Sequence, residues 1–562
     1  MRWNLKSKPE KQLVKQLQSQ LQVNEIIAQL LISRGIETFE QARLFFRPTL
    51  ADLHDPYLMK NMDKAVARIE KALSSGENIM VFGDYDVDGT TAVSLVSSYL
   101  KSIYPNVATY IPDRYLEGYG ISFKGIDYAD DNGISLIIAL DCGIKSVDHV
   151  AYAKEKNIDF IICDHHRPGD SIPDAVAVLD PKQEDCNYPY DELCGCGIGF
   201  KLVQALGKNR GQTIEHLEPY LDLVATAIAA DIVPMTGENR ILAKFGLNVI
   251  NTNPRPGIQA LVHQIKKKEL TITDVVFIIA PRINAAGRIK HGNHAVELLS
   301  EFNLEQALEF AAEIEMYNSS RKELDKQITK EALCQIEKNK EKERFSTVVY
   351  QEDWHKGVIG IVASRLIETY YRPTLVFTKS GDKLAASARS VYGFDVYNAL
   401  EACSEHLEQF GGHMYAAGMT LSEENYLKFK EAFENEVRTS ISDDQREAHI
   451  SVDLELDFAA IDDKMMRILK QFEPFGPQNM TPVFATKNVC DTGYVKTIGL
   501  ENEHLKLFVK QPNSEGFAAI GFGLGKKYDL ATNRKPIEIA YTLAENEWNG
   551  QTTLQLNLKD LR

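Results

Sequence analysis

Short apolar segments alternate with segments of helical length from about residue 77 onward. Five of the apolar segments are predicted strands: residues 79–82, 107–111, 136–140, 160–163 and 175–179. Their nearly continuous hydrophobicity is typical of strands buried on both faces, and the intervening helical segments can supply the covering layers. We therefore predict an α/β domain built on a parallel sheet.

The rest of the chain is expected to form further domains, because a single hydrophobic core stops growing at about 250–300 residues and this chain has 562. A stretch rich in Glu, Lys, Gln and Ala, without Gly or Pro, predicts one or two long connecting helices. Alternating apolar and polar residues near the C-terminus predict a small β-barrel, with an OB-fold the favoured kind. The predicted regions are an N-terminal helical cap at 1–50, the parallel-sheet domain at 51–302, connecting helices at 303–344, a smaller α/β domain at 345–440 and the barrel at 449–562.

Aspartate and histidine residues follow the apolar segments of the first domain. The first segment leads into Asp84, Asp86 and Asp88, the third into Asp141, the fourth into Asp164-His165-His166, and a later apolar run at 225–230 into Asp231. Because the carboxyl ends of parallel strands lie along one edge of a sheet, we expect these side chains to converge there.

The residue types in this group indicate which metal ions could bind. Carboxylates with imidazole, and without thiolate, suit Mn²⁺ or Mg²⁺. Several carboxylates held together repel one another strongly, and two divalent ions would neutralise them. Paired ions are the usual means of promoting in-line attack on phosphorus. The sequence therefore predicts a two-metal site for phosphoester hydrolysis.

Each motif taken alone has a simpler interpretation. The three-Asp motif could be a turn, although an EF-hand is excluded because Leu95 occupies the position where a Glu ligand is required. Asp141 could be only a helix N-cap. The functional interpretation depends on the occurrence of all the motifs at successive segment ends.

The cysteines, the apolar runs and the net charge of the sequence limit which other classes of protein this chain can belong to. The eight cysteines are scattered, and Cys194 and Cys196 form a C-x-C pair without a second pair, which argues against a zinc or disulfide framework. We find no apolar run of membrane-spanning length and no apolar signal core, so we expect a cytoplasmic protein. The net charge of −16 is an average over the chain, and a local basic groove for nucleic acid remains compatible with it.

The motifs together resemble the DHH phosphoesterase superfamily, and within it the RecJ family. The resemblance runs almost from end to end and rests on residues 84–89, 111–114, 117–120, 164–166, 230–234, 237–240, 281–288, 354–360, 387–390, 411–418 and 475–479. It implies a DHH domain, a DHH-associated domain and an OB-fold domain. The implied activity is 5′-to-3′ exonuclease action on single-stranded DNA in recombination and repair, with release of 5′-mononucleotides.

The resemblance also implies roles for individual residues. Two Mn²⁺ or Mg²⁺ ions would be held by Asp84, Asp86, Asp88, Asp141, His165 and Asp231, of which Asp84 is the least firmly implied ligand. Asp141 would bridge the ions and His166 would face the scissile phosphate, while Asp164 would orient the histidines. Substrate would contact Arg114, Arg282, Asn284, Arg288, Ser387, Arg389, Gly412 and His413.

Several substrate features have a second interpretation. Arg282, Asn284 and Arg288 could instead brace a domain junction, and the 411–413 Gly-Gly-His segment could be only a turn. Phe508, Phe517, Phe522 and Trp548 could stack on bases or fill the barrel core. We interpret Lys266, Lys267 and Lys268 as a solvated loop.

Two alternative functions remain open at this stage. One is a DHH phosphodiesterase for short oligonucleotides or cyclic dinucleotides, and the other is a non-catalytic DHH scaffold in a replication complex. The barrel and the three-Asp motif favour a polymeric substrate, and every ligand position is filled. By resemblance the partners would be a RecQ-like helicase and a single-strand-binding protein, and we expect a monomer.

Overall fold

The computed structural model describes residues 1–263, 265–512, 514–532, 535–548 and 551–562, apart from the side chains of Trp548 and Gln551. These residues form two compact units. The larger unit contains residues 5–315 and 451–562, and the smaller unit contains residues 1–4 and 316–450. No helix in the described ranges combines the length and apolar character that crossing a membrane requires.

The first half of the chain contains one five-stranded sheet and most of the helices. Strand β1 (Arg2–Leu5) lies outside this sheet, whose strands are β2 (Asn78–Gly83), β3 (Val107–Tyr110), β4 (Ile134–Leu140), β5 (Asp159–Cys163) and β6 (Ala177–Leu179). The helices are α1 (Lys11–Leu21), α2 (Glu25–Ile32), α3 (Phe39–Phe46), α4 (Met62–Ser75), α5 (Val87–Ile103), α6 (Phe123–Asp131), α7 (Val147–Glu155), α8 (Gly195–Asn209), α9 (Leu221–Asp231), α10 (Gly237–Thr252), α11 (Pro256–Val262), α12 (Ile272–Asp274), α13 (Ala280–Ile289), α14 (Asn293–Ser300) and α15 (Leu304–Lys338).

The sheet of the larger unit is parallel throughout, with strand order β3-β2-β4-β5-β6. Its central strands are buried on both faces, as their continuous apolar sequence predicts. Helices begin at the strand ends, where Asp86 caps α5 and Ser122 caps α6 through side-chain oxygens. The predicted α/β class is confirmed.

The N-terminal helices share a hydrophobic core with the C-terminal barrel. Ile27, Leu30 and Leu31 of α2 are fully buried in one cluster with Phe484 and Tyr541. Nearby, the buried Arg240 guanidinium donates hydrogen bonds to the carbonyl groups of Phe45, Phe472 and Pro474. The N-terminal helices at residues 11–46 and the barrel therefore pack as parts of one unit.

The C-terminal segment forms a closed barrel. Its elements are β13 (Leu454–Glu455), α19 (Asp463–Lys470), β14 (Phe484–Asp491), β15 (Lys496–Ile498), β16 (His504–Lys510), β17 (Gly516–Gly521), α20 (Tyr528–Thr532), β18 (Ile537–Trp548) and β19 (Gln551–Leu561). The sheet order is β13-β14-β18-β19-β17-β16-β15, and a further pairing of β14 with β16 closes it. The alternating segments at 505–509, 537–541 and 554–558 lie in β16, β18 and β19.

The smaller unit has a mixed five-stranded sheet of order β10-β11-β9-β8-β7. Only the β7–β8 pair is parallel, and β9 pairs antiparallel with both β8 and β11. Its elements are β7 (Thr347–Tyr350), α16 (Ile359–Thr369), β8 (Thr374–Ser380), β9 (Lys383–Arg389), α17 (Val396–Ala402), β10 (Gln409–His413), β11 (Ala416–Leu421), α18 (Tyr426–Ser440) and β12 (His449–Val452). The predicted connecting segment is one helix, α15, of 35 residues.

Candidate metal centre

The turn after β2 carries the first two aspartates of the site. Asp84 is fully buried, and its Oδ1 accepts a hydrogen bond from the Gly120 amide at 3.3 Å. Its Oδ2 is buried without a hydrogen-bond partner among the described residues. Asp86 caps α5 by accepting from the Gly89 amide at 3.0 Å. A Cβ on Gly89 would lie 2.3 Å from the Asp84 carbonyl oxygen, so this tight turn requires glycine.

Asp88 is held by the beginning of another helix. Its carboxylate accepts hydrogen bonds from the backbone amides of Gly195 at 2.6 Å and Cys196 at 2.7 Å, in the first turn of α8. The positive end of the α8 dipole thus faces this carboxylate. The C-x-C segment therefore contributes backbone amides, and both of its thiols are buried.

Asp141, His165 and Asp231 meet Asp88 at the carboxyl edge of the sheet. The Nε2 atom of His165 lies 3.2 Å from Asp141 Oδ1, 3.8 Å from Asp88 Oδ2 and 3.6 Å from Asp231 Oδ2. Asp141 follows β4 in the left-handed backbone region, with φ of 60°. Asp231 differs from the prediction, because the run 225–230 is helical and Asp231 is the last residue of α9.

His166 lies at the open side of this group and is fixed from two directions. Its Nδ1 is 2.7 Å from Asp164 Oδ1, and its Nε2 is 3.2 Å from the Tyr119 hydroxyl. Burial disfavours the imidazolium form most strongly, but the hydrogen bond with Asp164 and the negative charges of Asp164, Asp231 and Asp88 together outweigh burial and raise the pKa of His166. Asp164 also accepts from the Ile144 and His165 amides.

Ligand atoms from two overlapping groups lie close enough to hold metal ions. Asp141, His165 and His166 form one group and Asp88, His165 and Asp231 the other, with the atoms of each group within 4.8 Å of one another. Asp84 and Asp86 belong to neither group, although both contribute to the charge around Asp141. Four of the six predicted ligands, Asp88, Asp141, His165 and Asp231, therefore belong to these groups. All six stay predicted ligands.

The electrostatics of these side chains fit divalent cations. Burial, reinforced by the neighbouring carboxylates, raises the pKa of Asp88 to about 7 and that of Asp231 to about 8. Burial also raises the pKa of Asp141 well above its usual range, and it lowers the pKa of His165 to about 3. A neutral imidazole among mutually repelling carboxyl groups is a donor set that divalent ions would stabilise.

These pKa shifts predict a pH-dependent stabilisation by Mn²⁺. Carboxyl groups of an unfolded chain lose their protons at about pH 4. In the folded protein, the pKa is about 7 for Asp88 and about 8 for Asp231. The metal-free protein therefore loses stability as the pH rises through this window. Since Mn²⁺ competes with these protons, we expect the Mn²⁺-induced increase in Tm to be larger at about pH 8 than at about pH 6.

Differential scanning fluorimetry with EDTA or Mn²⁺ at both pH values measures this difference. Asp170→Asn, at an exposed carboxylate after the DHH motif, is the control and should behave like the wild type. An equal or larger Tm increase at the lower pH would contradict the assignment.

In the smaller unit, Ser387 and Arg389 lie together on β9 at the first turn of α16. Arg389 Nη1 donates to Ser387 Oγ at 3.1 Å. A Cβ on Gly360 would lie 2.9 Å from Ser387 Oγ and 3.0 Å from Arg389 Nη2. A hydroxyl, a guanidinium and a helix N-terminus thus surround one point, an arrangement suited to a phosphate group.

Gly412 and His413 belong to strand β10 and not to a turn. Gly412 pairs with Ala417 of β11 and has φ of 146°. A Cβ at Gly412 would lie 2.4 Å from the Ala416 carbonyl oxygen, so close strand packing requires glycine here. The side chain of His413 is exposed.

The remaining predicted substrate residues lie in the larger unit. The Arg114 guanidinium stacks 4.5 Å from the ring centre of Tyr85, within the turn that carries Asp84 and Asp86. On α13, Arg282 pairs with Glu315 of α15 at 2.6 Å within the larger unit, and it stays a predicted substrate residue. Asn284 and Arg288 are partly exposed on the same helix, and the Tyr115 hydroxyl donates to the Arg288 carbonyl.

The aromatic candidates of the barrel separate into two groups. Phe517 packs in the core at 5.1 Å from Phe458, whereas Phe508 and Phe522 are 39% and 63% exposed. The Trp548 side chain lies outside the described residues. Lys266, Lys267 and Lys268 are exposed, as expected for a solvated loop, and Lys267 pairs with Asp274.

Sequence reasoning missed two contributors to the centre. The backbone amides of Gly195 and Cys196 leave no signal in the residue types, so their contact with Asp88 could not be predicted from the sequence. Tyr119 lies within a motif that was noted, but its contact with His166 follows from the three-dimensional arrangement alone.

Comparison with known proteins assigns three ranges of the chain to protein-domain families. Residues 78–228 match the DHH family N-terminal domain, residues 344–439 the DHHA1 domain and residues 452–560 the RecJ OB domain. The single-stranded-DNA-specific exonuclease RecJ of Bacillus subtilis is 36% identical, covering 100% of this chain and 70% of the relative. The RecJ of Escherichia coli is 31% identical over 95% of each chain.

Solved structures agree with these matches. The structure of Thermus thermophilus RecJ in complex with Mn²⁺ has a TM-score of 0.86 and 27% identity, covering 100% of this chain and 79% of that one. A structure of the same protein in complex with Mg²⁺ has a TM-score of 0.79. From its domains, its relatives and its fold, the chain belongs to the RecJ family of DHH proteins.

Proposed function

We propose that this chain is a two-metal exonuclease that hydrolyses single-stranded DNA from the 5′ end and releases 5′-mononucleotides. The observation that carries the proposal is the convergence of Asp88, Asp141, His165, His166 and Asp231 into two overlapping ligand groups. The RecJ relatives, which are named as single-stranded-DNA-specific exonucleases, supply the substrate and strand choice.

The chain's own residues would hold and orient the reacting groups. When bound, two Mn²⁺ or Mg²⁺ ions would activate water and neutralise phosphate charge. Asp88, Asp141, His165 and Asp231 would provide the ligands, and the α8 amides would fix the Asp88 carboxylate. His166, held by Asp164 through Nδ1, would present Nε2–H to a phosphate oxygen in place of the Tyr119 hydroxyl.

Two surface features support a single strand as substrate. On β16, the exposed Lys506, Phe508 and Lys510 alternate with buried residues, so they project from the same face of the barrel. Lys496 of β15 lies directly opposite Lys506. Cations that contact phosphates, next to an exposed aromatic ring that can stack on a base, are the requirements of single-strand binding.

An end-labelled substrate assay tests the proposal. Single strands labelled at either end, with and without a 5′-phosphate, are incubated with Mn²⁺, and a duplex serves as control. We expect the 5′ label to appear as mononucleotide at the earliest times and the duplex to persist. Release from the 3′ end would overturn the polarity, cleavage confined to short oligonucleotides would favour the small-substrate alternative, and inactivity would favour a scaffold.

A substitution at the phosphate pocket of the smaller unit gives a second test. We expect Arg389→Gln to reduce the preference for 5′-phosphorylated strands by roughly tenfold to a hundredfold, because a charge-assisted hydrogen bond contributes about 1.5–3 kcal/mol. Competition between phosphorylated and hydroxyl-ended strands measures the preference. Lys383→Gln, at the exposed other end of β9, is the control. An unchanged preference in Arg389→Gln would place the 5′-phosphate elsewhere.

We also propose a cytoplasmic location and action in recombination and repair beside a RecQ-like helicase and a single-strand-binding protein. The proposed location and the proposed partners both follow from the likeness to the RecJ family. Co-purification of the tagged chain with either partner from its own cells, compared with a strain lacking the tag, is the direct test. Failure to recover both partners would argue against the association.

A further inference from the structure

A basic groove lies between α15 and α16 in the smaller unit. It encloses about 600 Å³ and is lined on the α15 side by Lys322, Lys326 and Lys330 and on the α16 side by Arg365. Each of the three lysines follows the previous one by four residues, so their side chains form one row along the helix. We call this feature the α15–α16 groove, and its lining contains none of the predicted metal-binding or substrate-binding residues.

Arg365 is oriented by a buried acid. Its Nε donates to both carboxylate oxygens of Asp325, at 2.9 and 2.7 Å. The Asp325 side chain is 3% exposed, whereas that of Arg365 is 50% exposed. Within the described ranges, the terminal nitrogens of Arg365 make no hydrogen bond. The guanidinium is therefore fixed through Nε and keeps its two terminal groups available for an anion, in the forked geometry that suits phosphate.

The three lysines have no carboxylate within ion-pair distance among the described residues, although α15 is rich in glutamate. Glu331 accepts a hydrogen bond from Trp354 Nε1 at 2.8 Å, and Glu337 pairs with Lys342 at 2.8 Å. An ordinary solvated helix face pairs Lys with Glu at four-residue spacing. Here Glu331 and Glu337 are engaged elsewhere, and the four cations that line the groove outnumber its two acids, Asp325 and Glu337, so the lining keeps a net positive charge of two.

We propose that the α15–α16 groove is a second binding site for the sugar–phosphate backbone of a single DNA strand. The proposal rests on the proposed function, which supplies the strand. A row of lysines facing an anchored arginine contacts successive phosphates and does not distinguish bases. The groove therefore adds affinity for long strands irrespective of their sequence.

The salt dependence of binding tests this site. The variant K322Q/K326Q/K330Q is compared with K11Q/K15Q/K428Q, which changes the same charge at exposed lysines of α1 and α18. Binding of a fluorescent 40-nucleotide strand is measured by anisotropy in EDTA over a series of salt concentrations. We expect the groove variant to bind at least tenfold more weakly, with a salt slope reduced by roughly two, since each phosphate contact contributes about 0.7.

An exposed cysteine in the groove gives an independent readout. Cys334 lines the groove and is exposed, whereas the other cysteines are buried or partly buried. We expect saturating single-stranded DNA to slow alkylation of Cys334 several-fold in the wild type, as followed by peptide mass spectrometry. In K322Q/K326Q/K330Q, DNA should give little protection. Thermal unfolding confirms that both variants are folded.

The possible outcomes separate this proposal from the proposed function. If the groove variant and the control bind equally, and Cys334 reacts at the same rate with and without DNA, the groove does not bind the strand. That result leaves the end-labelled assay of the wild type unaffected. If the wild type fails to bind or degrade single strands, the proposed function fails and the groove proposal fails with it.

Discussion

Replacing Asp141 by Asn is expected to reduce hydrolysis by roughly a thousandfold or more, since several kcal/mol of charge stabilisation are lost with the metal ligand. The Asp141 carboxylate lies 3.2 Å from His165 Nε2 and belongs to one of the two ligand groups. The same change replaces a carboxyl group whose ionised form is disfavoured by burial and by the neighbouring carboxylates. We therefore also expect the metal-free variant to be more stable than the metal-free wild type.

Both effects are measurable on one preparation. Single-turnover hydrolysis of a labelled strand gives the rate, and thermal unfolding in EDTA gives the stability. Asp170→Asn is again the control for a carboxylate outside the centre. Retention of more than about a tenth of the wild-type rate by Asp141→Asn, a change under tenfold or 1.4 kcal/mol, would show that Asp141 is not an essential ligand.

Adding one methyl group at Gly195 is expected to disable the centre although every predicted ligand residue is kept. A Cβ there would lie 2.6 Å from Asp141 Cβ and 2.8 Å from Asp141 Oδ1, well inside the carbon–carbon contact distance of about 3.5–4.0 Å. Asp141 or the start of α8 must move, and the amide that binds Asp88 moves with it. Because a misplacement of about 1 Å can reduce a rate by about a hundredfold, we expect a loss of that size in Gly195→Ala.

Gly197→Ala is the matched control for this prediction. It lies two residues further along α8, where a Cβ would make ordinary contacts, the nearest being Leu193 Cδ2 at 3.4 Å. Alanine is favoured over glycine in a helix by up to about 1 kcal/mol, so this variant should be at least as stable as the wild type and fully active. Isothermal titration with Mn²⁺ should show weakened binding in Gly195→Ala alone. Equal activity of the two variants would contradict the close-approach argument.

The sequence predicted the sheet and most of the centre because both leave strong local signals. Buried parallel strands such as β4 are continuous apolar runs, and ligands such as Asp141 and His165 follow them directly. The six-residue apolar run before Asp231 was ambiguous, since a run of that length fits a buried strand or a buried helix equally. Its helical form depends on packing against α8 and α10.

Other features depend on tertiary structure and could not be predicted. The α8 amides that bind Asp88 belong to a segment more than a hundred residues away. Phe508 and Phe517 are both barrel aromatics, and only the strand register exposes one and packs the other, partly buried, against the core. The row of lysines on α15 resembles any solvated helix until Arg365 and Asp325 are placed beside it.

The shared core of the N-terminal helices and the barrel has a consequence for how the protein is made. Residues such as Ile27, Leu30 and Leu31 are buried together with Phe484 and Tyr541, which the ribosome adds some 450 residues later. At about 5–20 residues per second, that interval is on the order of a minute. During that time the apolar face of the first helices lacks its final partner, so we expect a chaperone or temporary packing on the nascent α/β domain to cover this face until the barrel emerges.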